Sequence, residues 1–184
     1  MHYIGILLSG RGSNFEAIAA NFAKNISVVI SNRSDARGLD VASRLGFPAI
    51  CLPSKGVPRE EYDRQLVREL KSWKVDLVCL AGFMRLLTPD FIREFPQRIL
   101  NIHPSLLPAF PGLEAQAQAL AHGVKIAGCT VHFVNEEMDA GPIILQAAVP
   151  VLPDDTVDSL SARILKEEHR IYSEAIRLVL EGVK

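Results

Sequence analysis

Apolar runs and helical stripes alternate along the first hundred residues. Residues 3–8 are an apolar run that predicts a buried strand, and Ser9-Gly10-Arg11-Gly12 forms a turn into a helical pattern over about 14–23. Residues 26–30 are rich in β-branched side chains and predict a second strand. A helix to Leu45 follows, with Ser34 or Asp35 as its cap and Gly46 as its stop. Residues 49–52 predict a short third strand. Over 58–73, Tyr62, Leu66, Leu70 and Trp73 recur at helical spacing, and Pro58 suits a first helical turn. Residues 75–80 are apolar without a break, as expected of a strand covered on both faces. This alternation predicts an α/β fold with a doubly wound, mostly parallel sheet. Ligands of such sheets bind at the carboxyl ends of the strands, where strand order reverses.

After Asn101 the pattern changes. Residues 130–134 and 143–151 read as strands whose connection is too short for a crossover helix, so they predict an antiparallel C-terminal pair. A long C-terminal helix over 156–180 closes the chain, with Thr156 as its cap and Asp158 or Ser159 as rivals. No repeat, low-complexity tract or linker interrupts the 184 residues. A single domain over 1–184, with 1–100 and 101–184 sharing one sheet, is the expected organisation.

The apolar content of 48% is enough for a full core. A net charge of −1, with signs interleaved as in Arg59-Glu60-Glu61-Tyr62-Asp63-Arg64, gives no footprint for nucleic acid. Cys51, Cys79 and Cys129 lie in strand-like runs and read as small buried hydrophobes of a reducing compartment. They form no Cys/His cluster, which argues against a metal site. No apolar run approaches the ~20 residues of a membrane span, and 3–8 is too short for a signal-peptide core. A cytoplasmic protein is expected.

Two segments carry candidate chemistry. Asn101-Ile102-His103-Pro104-Ser105-Leu106-Leu107-Pro108 follows the apolar run 98–100, and Met138-Asp139-Ala140-Gly141-Pro142 answers it downstream. If the run continues as a strand, Asn101 and His103 project from one face. Pro104 and Pro108 remove backbone donors and fix φ, which predicts a stiff loop after His103. An amide, an imidazole and a distant carboxylate can together hold and protonate a tetrahedral oxyanion, so the constellation points to acyl transfer. Plainer roles stand beside this one: Asn101 and His103 as core polar residues satisfying backbone groups, and Asp139 as a turn residue. His132, between Val131 and Phe133, either lines the same site or pairs with backbone in the core. His169 reads as a surface residue, and His2 and His122 as exposed. Ser105 lacks an activating elbow and is assigned a structural role in its loop.

Ser9-Gly10-Arg11-Gly12-Ser13-Asn14 sits between the first strand and the first helix. Glycines let backbone approach an anion, and a helix N-terminus offers free N–H groups, so a single phosphate fits here. The spacing is neither a P-loop nor a dinucleotide fingerprint, which disfavours ATP and NAD. A plain strand-to-helix turn capped by Ser13 or Asn14 explains the same residues equally well.

Together with Ala81-Gly82-Phe83-Met84-Arg85 and Glu168-His169, these segments resemble the phosphoribosylglycinamide formyltransferases, folate-dependent formyltransferases of purine synthesis, over essentially the whole chain. The resemblance implies transfer of the formyl group of 10-formyltetrahydrofolate, the cosubstrate, to the primary amine of glycinamide ribonucleotide, without metal or covalent intermediate. It implies Asn101, His103 and Asp139 as the catalytic trio. In that role Asn101 and a protonated His103 stabilise the oxyanion, while Asp139 favours the protonated ring and helps remove the amine's proton through water. By the same resemblance Gly12, Ser13 and Asn14 hold the 5′-phosphate and Glu168 the ribose. Arg59, Met84, Arg85, Leu87 and the backbone from Val134 to Asp139 form the folate pocket. Residues 1–100 become a phosphate-binding half and 101–184 a catalytic and folate-binding half.

One stretch departs from the family. Members often carry a histidine after Pro-Gly-Leu, where this chain has Glu114-Ala115-Gln116-Ala117-Gln118. Gln116 donates a hydrogen bond but no charge, which bears on substrate affinity rather than reaction class. The alternatives are a formyltetrahydrofolate deformylase, which typically adds an N-terminal domain, and a methionyl-tRNA formyltransferase with an extra C-terminal one; the chain has no expected room for either. A third is a non-catalytic sensor of folate or sugar phosphate, which would not need the trio. Monomer and homodimer are both compatible with the sequence.

Overall fold

Short apolar strands set the architecture of the first of two units, Met1–Leu100 and Asn101–Lys184. The computed structural model describes residues 2–182. In the first unit β1 (Ile4–Leu8), β2 (Ile26–Ser31), β3 (Ala49–Cys51) and β4 (Leu77–Leu80) run parallel in the order β3-β2-β1-β4. Every residue of β1 and β4 is buried, as expected of parallel strands covered on both faces. The helices are α1 (Ser13–Phe22), α2 (Arg37–Arg44), α3 (Arg59–Ser72) and α4 (Pro89–Glu94). Tyr62, Leu66 and Leu70 form the buried stripe of α3, each contributing about 1.5–3 kcal/mol of transfer free energy.

Local competition moves several helix starts from their expected places. Asp35 does not cap α2, because its carboxylate makes a two-pronged ion pair with Arg33, and the N-cap is Ala36. Pro58 precedes α3 as its N-cap rather than lying inside the first turn. Helix α4 was not anticipated from sequence. Its cap is built from Thr88, whose Oγ1 accepts from Phe91 N at 3.2 Å, with Pro89 at the first helical position. The same Thr88 donates its N–H to buried Asp63 Oδ2 at 2.7 Å, which fixes α4 on α3.

In the second unit β5 (Ile99–His103), which opens at the end of the first, is followed by α5 (Ala115–His122), β6 (Ile126–Phe133) and β7 (Ile143–Pro150). The pair β6/β7 is antiparallel, as predicted, although β6 begins four residues earlier than expected. The long helix α6 (Val157–Leu180) packs on both strands. Thr156 caps it in a reciprocal box with Ser159, so the two rival cap residues act together. All three cysteines are free thiols, and burial pushes that of Cys129 up to about 12. No helix among the described residues is long and apolar enough to cross a membrane.

Candidate active site

At the carboxyl end of β1 the chain turns into α1 through Gly12, which has a φ of +85°. A side chain there would place its Cβ 2.7 Å from the Cα of Gly38, so both conformation and space require glycine. Gly12 is itself the N-cap; the expectation that Ser13 or Asn14 caps the helix is corrected, since both lie within its first turn. That turn supplies the backbone N–H groups and dipole that favour an anion.

A buried polar chain ties this loop to its neighbours. Ser9 Oγ donates to Asn32 Oδ1 at 2.5 Å and accepts the N–H of Met84 at 2.8 Å, and Ser9 N donates to Gly82 O at 3.0 Å. Asn32 Nδ2 reaches Ser54 Oγ at 3.1 Å. The loops after all four parallel strands are thereby joined at one edge. Met84 exposes its side chain while its backbone is held, and Leu87 is half-buried. Arg85 lays its guanidinium over the ring of Tyr62, 4.5 Å from the centroid. Burial pushes the Tyr62 phenol up to about 12, with Arg85 opposing. Arg59, the first residue of α3, is exposed, 3.9 Å from Glu60.

In the second unit the predicted trio comes together. Asn101 and His103 lie on one face of β5, as period-two alternation requires. His103 is 5% exposed, and its Nδ1 faces Asp139 Oδ2 at 3.4 Å. Its Nε2 lies 2.9 Å from the carbonyl of Phe110, which can only accept. Both ring nitrogens therefore face oxygen. Asp139 Oδ2 also accepts the N–H of Gly112 at 2.9 Å.

The sequence left the part played by His132 open; the structure brings it into this cluster. Its Nε2 lies 3.2 Å from Asn101 Nδ2 and 3.8 Å from Asp139 Oδ1, and its Nδ1 lies 2.9 Å from Phe133 O. The available signal was the alternation of β6, which puts polar Thr130 and His132 on one face with almost no exposure.

Thr130 and Gln146, not recognised in the sequence, hold the loop after His103. Thr130 Oγ1 donates to Ser105 O at 2.7 Å and accepts from Leu107 N and Gln146 Nε2, each at 3.0 Å. Gln146 Nε2 also reaches Leu107 O at 2.9 Å. Ser105 Oγ donates to Ala109 O at 2.5 Å, which is the structural role expected of it. Asp139 has a φ of +52°, a left-handed conformation that aspartate tolerates better than most residues. Close by, a Cβ on Gly141 would lie 1.8 Å from Phe133 O, so the chain can fold back after Asp139 only with glycine there.

Val134, just past β6, is half-buried, and Glu168 is buried on α6, where its charge adds to the upward push on Cys129. The departing segment begins α5 at Ala115, with Glu114 in the left-handed region. Gln118 Nε2 donates to Leu113 O at 2.8 Å, and Gln116 is half-buried.

Residues 3–176 match the Formyl transferase family. The phosphoribosylglycinamide formyltransferase of Escherichia coli K12 is 44% identical over 185 residues, covering 97% of this chain and 87% of that protein. The trifunctional purine biosynthetic protein adenosine-3 of Drosophila melanogaster is 48% identical, and the chain spans only 14% of its length. Among solved structures, glycinamide ribonucleotide transformylase 1 from Symbiobacterium toebii superposes with a TM-score of 0.96 at 57% identity, covering 99% of this chain and 89% of that one.

Proposed function

The chain belongs to the formyl transferase family, and from that premise we propose that it transfers the formyl group of 10-formyltetrahydrofolate to the primary amine of glycinamide ribonucleotide. The observation that carries the reading is the pair of buried His103 and half-buried Asp139 at 3.4 Å, with the Asn101 amide on the same strand face as His103. The amine nitrogen bonds to the formyl carbon, and the carbonyl electrons move onto oxygen. The Asn101 N–H stabilises that oxyanion by a hydrogen bond, and a protonated His103 stabilises it through its positive charge, its ring nitrogens being turned to Asp139 and the Phe110 carbonyl. As the electrons return, the bond from carbon to N10 of the folate breaks. N10 takes up a proton, and the attacking nitrogen loses one to water beside Asp139. No covalent enzyme intermediate is needed.

Carried over residue by residue, Gly12, Ser13 and Asn14 take the 5′-phosphate and Glu168 the ribose. Arg59, Met84, Arg85, Leu87 and Val134 contact the folate. The left-handed Gly12 at the head of α1 supports the first assignment, and the anchored Met84 backbone, with the Arg85 guanidinium laid over Tyr62, supports the second. The reading treats the chain as one formyltransferase domain working in the cytoplasm, in keeping with three free thiols. The test follows an isotopically labelled formyl group. Label in the amide of the ribonucleotide product supports the proposal; label released as formate, with the ribonucleotide unchanged, makes water the acceptor and refutes it.

A further inference from the structure

His132 has no role in the reaction as described, yet it touches two members of the trio. Its Nδ1 lies 2.9 Å from the carbonyl of Phe133, so Nδ1 carries a hydrogen. The ring is 2% exposed. Burial holds its imidazole below the ordinary value, with His103 adding to that effect and the Phe133 carbonyl and Asp139 opposing it. The neutral ring therefore has a lone pair on Nε2, and that lone pair meets Asn101 Nδ2 at 3.2 Å. A flipped amide would set the Asn101 oxygen against the same lone pair and put an acceptor where the oxyanion forms.

We infer that His132 is a positioning residue: a neutral ring protonated on Nδ1, it fixes the Asn101 amide with its nitrogen inward, so that the second N–H is presented to the formyl oxygen. This rests on the reading of Asn101 as an oxyanion donor. The inference extends to pH. The titratable groups facing the ring are His103 from β5 and Asp139 from the loop after β6; β7 opposes it with uncharged Ile143. The α6 charges that act on Cys129 meet the other face of β6, because 129 and 132 differ in parity. A proton on Nε2 would confront the N–H of Asn101 with another donor. The nearest acceptor is then Asp139 Oδ1 at 3.8 Å, so acidification frees Asn101 and draws the carboxylate from His103.

The test joins nitrogen NMR of the histidine rings with kinetics of His132→Phe, His132→Gln and Asn101→Ala. At neutral pH the His132 ring should be neutral with hydrogen on Nδ1; a ring protonated on Nε2, alone or with Nδ1, overturns the inference whatever the activity. His132→Phe should lower kcat by about 10²-fold, the scale of one lost oxyanion donor, with little change in either KM. His132→Gln restores an acceptor at the Nε2 position, so it should keep most of kcat and extend activity to lower pH. Wild-type turnover in His132→Phe beside a crippled Asn101→Ala overturns the inference and leaves the reaction standing. Full activity in Asn101→Ala removes the donor itself, and both fall. If the Phe variant does not fold, the ring spectrum and the Gln profile decide.

Discussion

Replacing Thr130 by Val keeps the shape of a fully buried side chain and deletes one hydroxyl that makes three hydrogen bonds. Leu107 N–H loses its partner in a buried position, at a cost of about 1–3 kcal/mol. Ser105 O and Gln146 each lose one bond, but Gln146 keeps Leu107 O at 2.9 Å, so these losses add about 1 kcal/mol. A total of about 3 kcal/mol corresponds to a fall in Tm of roughly 6–12 °C for a chain of this size. Thr130→Ser retains the hydroxyl and loses only a methyl group, costing about 1 kcal/mol. Urea unfolding followed by circular dichroism, with an unchanged m-value, measures both. The loop in question leads from His103 to Phe110, whose carbonyl meets His103 Nε2. Turnover should therefore fall further in the Val variant than in the Ser variant. Equal stability of the two, or a Val variant within about 0.5 kcal/mol of wild type, would refute the assignment of this hydroxyl as the loop's anchor.

His103→Ala and Asp139→Asn should each lower turnover by about 10²-fold or more in steady-state assays, and near-native turnover in either would remove that residue from the chemistry. Ser13→Ala should raise KM for the ribonucleotide while leaving kcat close to wild type; an unchanged KM counts against the phosphate assignment. Burial holds the His132 imidazole below its ordinary value of 6.5, so the unfolded chain takes up a proton that the folded one refuses. That contribution to stability is fully present above 6.5 and is lost as the pH falls toward the folded value. His132→Gln should flatten this part of a plot of urea midpoint against pH, and a superimposable curve would show that the ring's burial is not the cause.

The parts of this site that are local in sequence were legible there. Period-two alternation put Asn101 and His103 on one strand face, and a continuous apolar run marked β4. What stayed hidden depends on partners far along the chain. Nothing near Thr130 announces that it will bind Ser105 and Leu107, 25 and 23 residues away, or that Gln146 will join them. The start of α2 was misplaced because Asp35 had two possible partners and took Arg33 over the helix N-terminus. Six-residue α4 offers too few turns for a periodic signal, and its Thr88 is fixed by Asp63 on another helix. His132 was visible as a polar residue in an apolar strand, but its role required the distance to Asn101.

The most direct test of formyl transfer follows the absorbance change as the purified protein deformylates 10-formyl-5,8-dideazafolate, with and without glycinamide ribonucleotide. The account predicts turnover that depends strictly on the ribonucleotide. Equal release in its absence, or no release in its presence, would contradict it.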